Sequence, residues 1–176
     1  MSERETIENV KEKQGIFSKI QNFFTLGYGT KEDLRELDRK LRDLYYIELR
    51  DMRHVWEDLY LAAMDAGAAQ SRDYKQVIQV LDRVTETVRH ADYGYAGLWD
   101  RKGHIRENEL ASVFNFDRDL GQELEGLEAA VGKAKRLVEA ENWENVSAEV
   151  KNVKSLLLAF EDKWTEREKQ FRPINM

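Results

Sequence analysis

The sequence predicts an all-α protein, and three observations support that prediction. Apolar side chains recur every three or four residues along most of the chain, which places them on single faces of α-helices. Hydrophobic residues make up 41% and charged residues 35% of the 176 residues, a balance that suits helices with one buried and one solvated face. The one proline, Pro173, leaves the body of the chain without a proline break. We therefore expect an antiparallel up-down-up-down four-helix bundle with an additional short N-terminal amphipathic helix.

The first helix is expected to begin at Ser2, because Ser2 and Glu5 have the spacing of a capping box. It should extend to about Phe24, before Gly27 and Gly29 interrupt the pattern. We therefore divide the chain into three segments. Residues 1–29 form the N-terminal amphipathic helix with its Gly-containing hinge, residues 30–172 a single-domain helical bundle, and residues 173–176 a C-terminal tail.

Thr30 and Asp33 have the capping arrangement again and predict the start of a second helix. Gly67 and the small residues after it are expected to end that helix. Its apolar residues keep a spacing close to 3.6, which favours globular bundle packing over a long coiled-coil rod. The predicted inner face of the second helix consists of Leu34, Leu37, Leu41, Tyr45, Leu49, Met52, Trp56, Leu59 and Ala63.

A third helix is expected to begin near Ser71 and Asp73 and to run to about Leu98. One apolar register holds over that whole stretch without a break, and polar residues fill most of the positions between. The residues in register are Tyr74, Val77, Leu81, Val84, Val88, Ala91, Tyr95 and Leu98.

A fourth helix should follow from Ile105 or later, because Asn115 or Asp117 could each cap a break near its start. Asn142 marks the turn before a fifth helix, which should end before Pro173. The short connections predict that consecutive long helices run antiparallel. The expected inner faces are Val113, Phe116, Leu120, Leu124, Leu127, Val131, Ala134 and Val138 in the fourth helix, and Val146, Val150, Val153, Leu157, Phe160 and Trp164 in the fifth.

Two charged residues fall near these inner faces, Glu48 in the second helix and Arg167 in the fifth. We expect both to lie near bundle ends or flanks and to extend their charged groups to water. The alternative is a buried ion pair that fixes the register of the helices. Gly121 and Gly132 share one face of the fourth helix, which indicates either close approach by another backbone or an ordinary helix containing glycine.

Composition excludes several chemistries. The chain has no cysteine, so disulfides, thiolate zinc sites and cysteine nucleophiles are excluded. A formal net charge of −6 without a basic stripe argues against a nucleic-acid partner. No run of about 18 apolar residues is present, so no membrane span is expected. The polar N-terminus lacks a signal-peptide pattern, and we expect a cytoplasmic protein.

Histidines paired with acids raise the question of a dinuclear metal site, which helix bundles often hold. His54 follows Asp51 by three positions, and His90 follows Glu86 by four. The apolar stripes of their helices place both histidines toward solvent, and His104 falls in a connection. We therefore expect no catalytic residue, no cofactor and no metal ligand. A metal-dependent bundle enzyme is the least favoured of the three functional hypotheses.

The segment from Asp92 to His104 concentrates tyrosine, tryptophan, arginine and glycine at one predicted end of the bundle. Aromatic and arginine side chains often anchor protein interfaces, so Tyr93, Trp99 and Arg101 are candidate interaction residues. The alternative is that the segment only covers the end of the bundle.

The N-terminal helix provides the other candidates, Phe17, Phe23 and Phe24. The stretch from Lys13 to Thr30 contains no acidic residue, as is common in helices that lie at a membrane surface. Three alternatives stay open for residues 7–26, namely packing on the chain's own bundle, association with a partner or a second copy, and contact with a membrane surface.

The run Gly15-Ile16-Phe17-Ser18-Lys19 resembles the start of the membrane-remodelling helices of phage-shock-protein-A and ESCRT-III type. The resemblance implies contact with a membrane, covers five residues and begins fifteen residues from the N-terminus. The rest of the chain predicts short hairpins where that family has a very long one, so we assign no family. The expected function is a non-enzymatic interaction or assembly module that forms a homo-oligomer. The alternative is a peripheral membrane protein anchored by its N-terminal helix.

Overall fold

The described residues form five α-helices and no strand in the computed structural model, which covers residues 3–26, 30–91, 95 and 107–171. This confirms the all-α prediction. None of the helices in these ranges is both long and apolar enough to cross a membrane. The helices are α1 (Glu3–Leu26), α2 (Lys31–Asp65), α3 (Asp73–Arg89), α4 (Glu107–Glu139) and α5 (Trp143–Phe171).

The hydrophobic core lies where α2, α3, α4 and α5 meet. α2 and α5 each contact both α3 and α4, and α1 lies against α2 and α4. The predicted inner face of α5 is buried throughout, and that of α2 is buried except for Leu37, which is half-buried. In α4 the face is buried from Leu120 to Val138, Phe116 is half-buried, and the side chain of Val113 is outside the described residues.

The start of α2 follows from its first residues, as predicted. The Thr30 hydroxyl accepts a hydrogen bond from the Asp33 amide at 3.2 Å, and the Thr30 amide donates to the Asp33 carboxylate at 2.7 Å. These hydrogen bonds from Thr30 lower the pKa of Asp33. Gly67 follows the end of the helix with φ of 69°, a conformation that L-residues other than glycine rarely adopt.

The prediction that α3 continues to Leu98 is wrong, because the helix ends at Arg89. Ala91 has left the helix, and its carbonyl accepts a hydrogen bond from the Arg42 guanidinium. Ala91 and Tyr95 are nevertheless buried, while Leu98 is outside the described residues. The apolar spacing therefore marks continued burial beyond the point where the helix stops.

α4 is continuous through Asn115 and Asp117, so neither residue caps a break. Asp117 instead lies fully inside the core.

α1 packs on the chain's own bundle, which is one of the three alternatives that the sequence left open for this helix. Ile16, Phe17 and Ile20 of α1 are all buried.

Candidate functional site

A buried ion pair holds α1 in its position between α2 and α4. The Lys13 ammonium lies 3.1 Å from the Glu48 carboxylate and 3.5 Å from that of Glu125. Lys13 and Glu48 are each only 2% exposed. Lys13 also lies over the ring of Tyr45, 5.8 Å from its centroid, where the ring's negative face attracts a cation.

The expectation that Glu48 reaches water is therefore wrong. Long carboxylates extend to solvent when no partner is present, but here Lys13 from another helix meets Glu48 inside the protein. Burial raises the pKa of Glu48, and the positive charge of Lys13 opposes that rise. The pair fits the alternative interpretation, a buried ion pair that fixes how one helix sits on another.

The expectation that Arg167 reaches water is also wrong, because Arg167 is fully buried. It connects its own helix, α5, to α2 and α4. Its Nε lies 2.7 Å from Asp117 Oδ1 of α4, and its Nη2 lies 2.9 Å from Asp38 Oδ1 of α2. Its guanidinium also packs over the rings of Trp164 and Phe171, with centroids at 4.9 Å and 4.6 Å. Burial alone would lower the pKa of Arg167, but the carboxylates of Asp117 and Asp38 outweigh it and raise that pKa.

Tyr95, from the aromatic segment between Asp92 and His104, contacts the buried charge cluster of Arg167, Asp117 and Asp38. Its hydroxyl donates a hydrogen bond to Asp117 Oδ2 at 3.1 Å, and its ring packs edge-on against Phe171 with 4.9 Å between centroids. The Tyr45 hydroxyl donates to the Asp117 carbonyl at 3.4 Å. Burial raises the pKa of Tyr95, and the negative charge of Asp117 raises it further. Both hydroxyls therefore stay protonated and act as hydrogen-bond donors.

Gly121 makes room for the hydroxyl of Tyr45 on the face of α4. A Cβ at this position would lie 3.1 Å from that hydroxyl oxygen, tighter than ordinary contact. A Cβ at Gly132 would meet only Arg136 of its own helix, at 3.6 Å, and one at Gly126 would meet nothing within 4 Å. The close approach that the sequence left open is thus made at Gly121, by a side chain and not by a backbone.

We expect Gly126→Ala to raise the free energy of unfolding by up to about 1 kcal/mol, because alanine favours a helix over glycine by that amount. Gly121→Ala gains the same propensity but displaces the Tyr45 hydroxyl, so it should be neutral or destabilising. Urea unfolding of the two variants beside the parent protein measures the difference. Equal stabilisation by both substitutions would show that the contact with Tyr45 is unimportant.

The six candidate interaction residues are only partly placed. Phe17 is 7% exposed and packs edge-on against Phe114 at 5.7 Å between ring centroids. In this arrangement it belongs to the contact between α1 and α4. The side chains of Phe23 and Phe24 and the whole of Tyr93, Trp99 and Arg101 lie outside the described residues.

Sequence reasoning missed Lys13, Asp38 and Asp117 as members of the interior. A signal for each was present, because each follows the apolar stripe of its own helix. Asp38 falls four residues after Leu34, and Asp117 falls three residues before Leu120. Each of these charges is neutralised by a residue of another helix, Lys13 by Glu48 of α2, and Asp38 and Asp117 by Arg167 of α5.

His54 and His90 point toward solvent, as the apolar stripes of their helices predict. His54 is exposed, and His90 is exposed beside Glu86 at 3.2 Å. Over the described ranges, no group of three or more histidine, aspartate or glutamate side chains is placed to hold a metal ion.

The chain matches no protein-family model, and neither a curated protein nor a solved structure shows significant similarity to it.

Proposed function

We propose that this protein is a non-enzymatic helical-bundle interaction module that self-associates by exchanging α1 between copies. In the proposal the aromatic segment makes a second, separate contact with a protein partner through Tyr93, Trp99 and Arg101. The observation that carries the proposal is the docking of α1, an amphipathic helix held on α2 and α4 by its side chains.

The proposed architecture is an up-down-up-down bundle of α2 to α5. Partner residues on α2 and α3 run in opposite order along the two helices, and so do those on α4 and α5. Partner residues on α3 and α5 run in the same order, as an alternating bundle requires. The supporting pairs are Trp56–Tyr74 and Arg53–Asp82, Asp117–Arg167 and Lys133–Glu149, and Asp73–Lys154 and Arg83–Glu161.

The contacts of α1 are those of a docked partner helix. Ile16, Phe17 and Ile20 are buried, and burying side chains of this kind contributes about 1.5–3 kcal/mol each. The pair of Lys13 with Glu48 sets the register of the docked helix. Only residues 27–29 separate α1 from the cap of α2 at Thr30.

An α1 from a second copy would meet the same surface. Because both partners in an exchanged dimer keep every contact of the closed chain, exchange needs no new interface. The buried Lys13 would then pair with Glu48 of the second copy, so an incoming helix of another kind would leave Glu48 without a cation. The same pair that fixes the register therefore favours a second copy of this chain as the partner.

Cross-linking tests the exchange, because the chain has no cysteine of its own. Ser18 of α1 and Gln122 of α4 are both exposed and line the same groove. One chain would carry Ser18→Cys and a second would carry Gln122→Cys. The two would be unfolded, mixed, refolded and treated with a short bismaleimide.

We expect covalent dimers from the mixture, since an exchanged α1 brings the two cysteines of different chains together. Either single variant treated alone serves as the control and should give far less dimer. A chain carrying both cysteines should give both circular monomers and covalent dimers. Cross-linking confined to monomers, with none in the mixture, would contradict self-association through α1.

The alternative is a peripheral membrane protein anchored by α1, and the acid-free stretch that begins at Lys13 favours it. Its apolar face is occupied by the bundle, so α1 must leave α2 and α4 before it can enter a membrane interface. Flotation with anionic phospholipid vesicles separates the two functions. The proposal expects the full chain to stay with the soluble fraction, while flotation that is lost in a Phe23→Asp variant would favour the membrane function.

A further inference from the structure

A groove of about 360 Å³ runs between α1 and α4, beside the buried pair of Lys13 and Glu48. Phe17 of α1 and Phe114 of α4 supply its apolar floor, with their rings edge-to-face at 5.7 Å. Gly121 of α4 also lines the groove and adds no side chain. The volume lies within the range of sites that hold small organic molecules.

Polar side chains line both walls of the groove at helical spacing. α1 contributes Gln14 and Gln21, seven residues apart, and α4 contributes Arg118 and Gln122, four residues apart. Within the described part of the chain, none of these four side chains has a hydrogen-bond or ion-pair partner. They therefore present unused donors, and the glutamines also present acceptors, on either side of an aromatic floor.

The charge in the groove is unbalanced at one end. Glu125 lies at one end and is met by Lys13 at 3.5 Å. Arg118 is two helical turns away and carries a positive charge that no described carboxylate neutralises. A guanidinium binds carboxylate, sulfonate or phosphate groups by paired, charge-assisted hydrogen bonds. The free cation and the apolar floor thus lie within reach of one small molecule.

We propose that the groove between α1 and α4 binds a small organic anion with a flat apolar body. Its anionic group pairs with Arg118, its body lies on Phe17 and Phe114, and the glutamine amides bind polar substituents at its edge. Such a ligand touches α1 and α4 together, so it holds α1 on the bundle. The site forms in the same way whether α1 belongs to the same chain or to a second copy, so the proposal is independent of exchange.

Calorimetric and NMR titration with naphthoate tests this site, and naphthol is the neutral probe of the same shape. We expect one naphthoate per chain, shifts in the signals of Phe17, Phe114 and Gln122, and a raised Tm because the ligand binds only the folded form. Naphthol should bind about tenfold more weakly or worse, since it lacks the charge that Arg118 pairs with. A higher salt concentration should lower the affinity for naphthoate and leave the affinity for naphthol nearly unchanged.

Arg118→Gln should lower the affinity for naphthoate by about tenfold or more, to the affinity measured for naphthol. Arg136→Gln is the matched control, because Arg136 is an exposed arginine of the same helix outside this groove. It should leave the affinity unchanged. Unshifted groove signals at millimolar naphthoate would overturn the proposal, and so would equal affinities for the parent protein and Arg118→Gln.

Discussion

Replacing Arg167 with leucine is expected to lower the free energy of unfolding by about 3–5 kcal/mol, one of the two largest single-residue effects we expect in this protein. The substitution removes the cation that pairs with Asp117, which is fully buried, and leaves Asp38 with its remaining ion pair to Arg42 at 3.0 Å. An unpaired carboxylate in the interior must either stay charged in a poor solvent or take up a proton. Chemical denaturation at neutral pH measures the loss.

Two comparisons identify the cause of that loss. Lys169→Leu changes an exposed cation of the same helix, paired with Glu166 at 3.6 Å, and should stay within about 0.5 kcal/mol of the parent protein. Adding Asp117→Asn to Arg167→Leu removes the stranded charge and should recover part of the stability, while Asp38 keeps its pair with Arg42 in both variants. A loss below about 1 kcal/mol for Arg167→Leu would show that the cluster does not need its cation.

The long, regular helices could be predicted from the sequence because their signals are local. Nearly every residue of the predicted inner faces of α2 and α5 is buried, and the cap formed by Thr30 and Asp33 marks where α2 begins. Such features depend on neighbours within one or two helical turns. A single sequence contains that information in full.

The end of α3 and the fate of Arg167 could not be predicted in the same way. Spacing reports which residues face the core, and Tyr95 faces the core although α3 has ended at Arg89. The burial of Arg167 depends on Asp117 and Asp38, which lie 50 and 129 positions away along the chain. No local pattern shows that three charged residues on separate helices meet.

The candidate site was predictable in outline and not in its chemistry. The phenylalanines of the N-terminal helix indicate a contact surface, and Phe17 does contribute to the contact between α1 and the bundle. The residue that makes the buried ion pair of that contact is Lys13, and its place in the apolar spacing of α1 does not show which residue it pairs with. Its role depends on Glu48, which a different helix supplies.

Replacing Lys13 with methionine is expected to release α1 and to lower stability by about 3 kcal/mol at neutral pH, because it strands the carboxylate of Glu48 inside the protein. The loss should appear first as faster amide exchange and easier proteolysis along α1, with the core of α2 to α5 still folded. Lys19→Met changes an exposed lysine of the same helix and should leave both readouts unchanged.

The pH dependence of this loss has a definite sign. Burial raises the pKa of Glu48 above its value in the unfolded chain, so folding takes up a proton and stability falls as pH rises through that window. Without Lys13 that pKa rises further, because the positive charge that opposed the rise is gone. Lys13→Met should therefore lose most stability at high pH, where Glu48 is charged in both states, and recover toward the parent protein as the pH falls toward 4.5, the ordinary pKa of glutamate. Adding Glu48→Gln should remove this pH dependence, and a loss from Lys13→Met that is the same at every pH would mean that α1 is held by its apolar face alone.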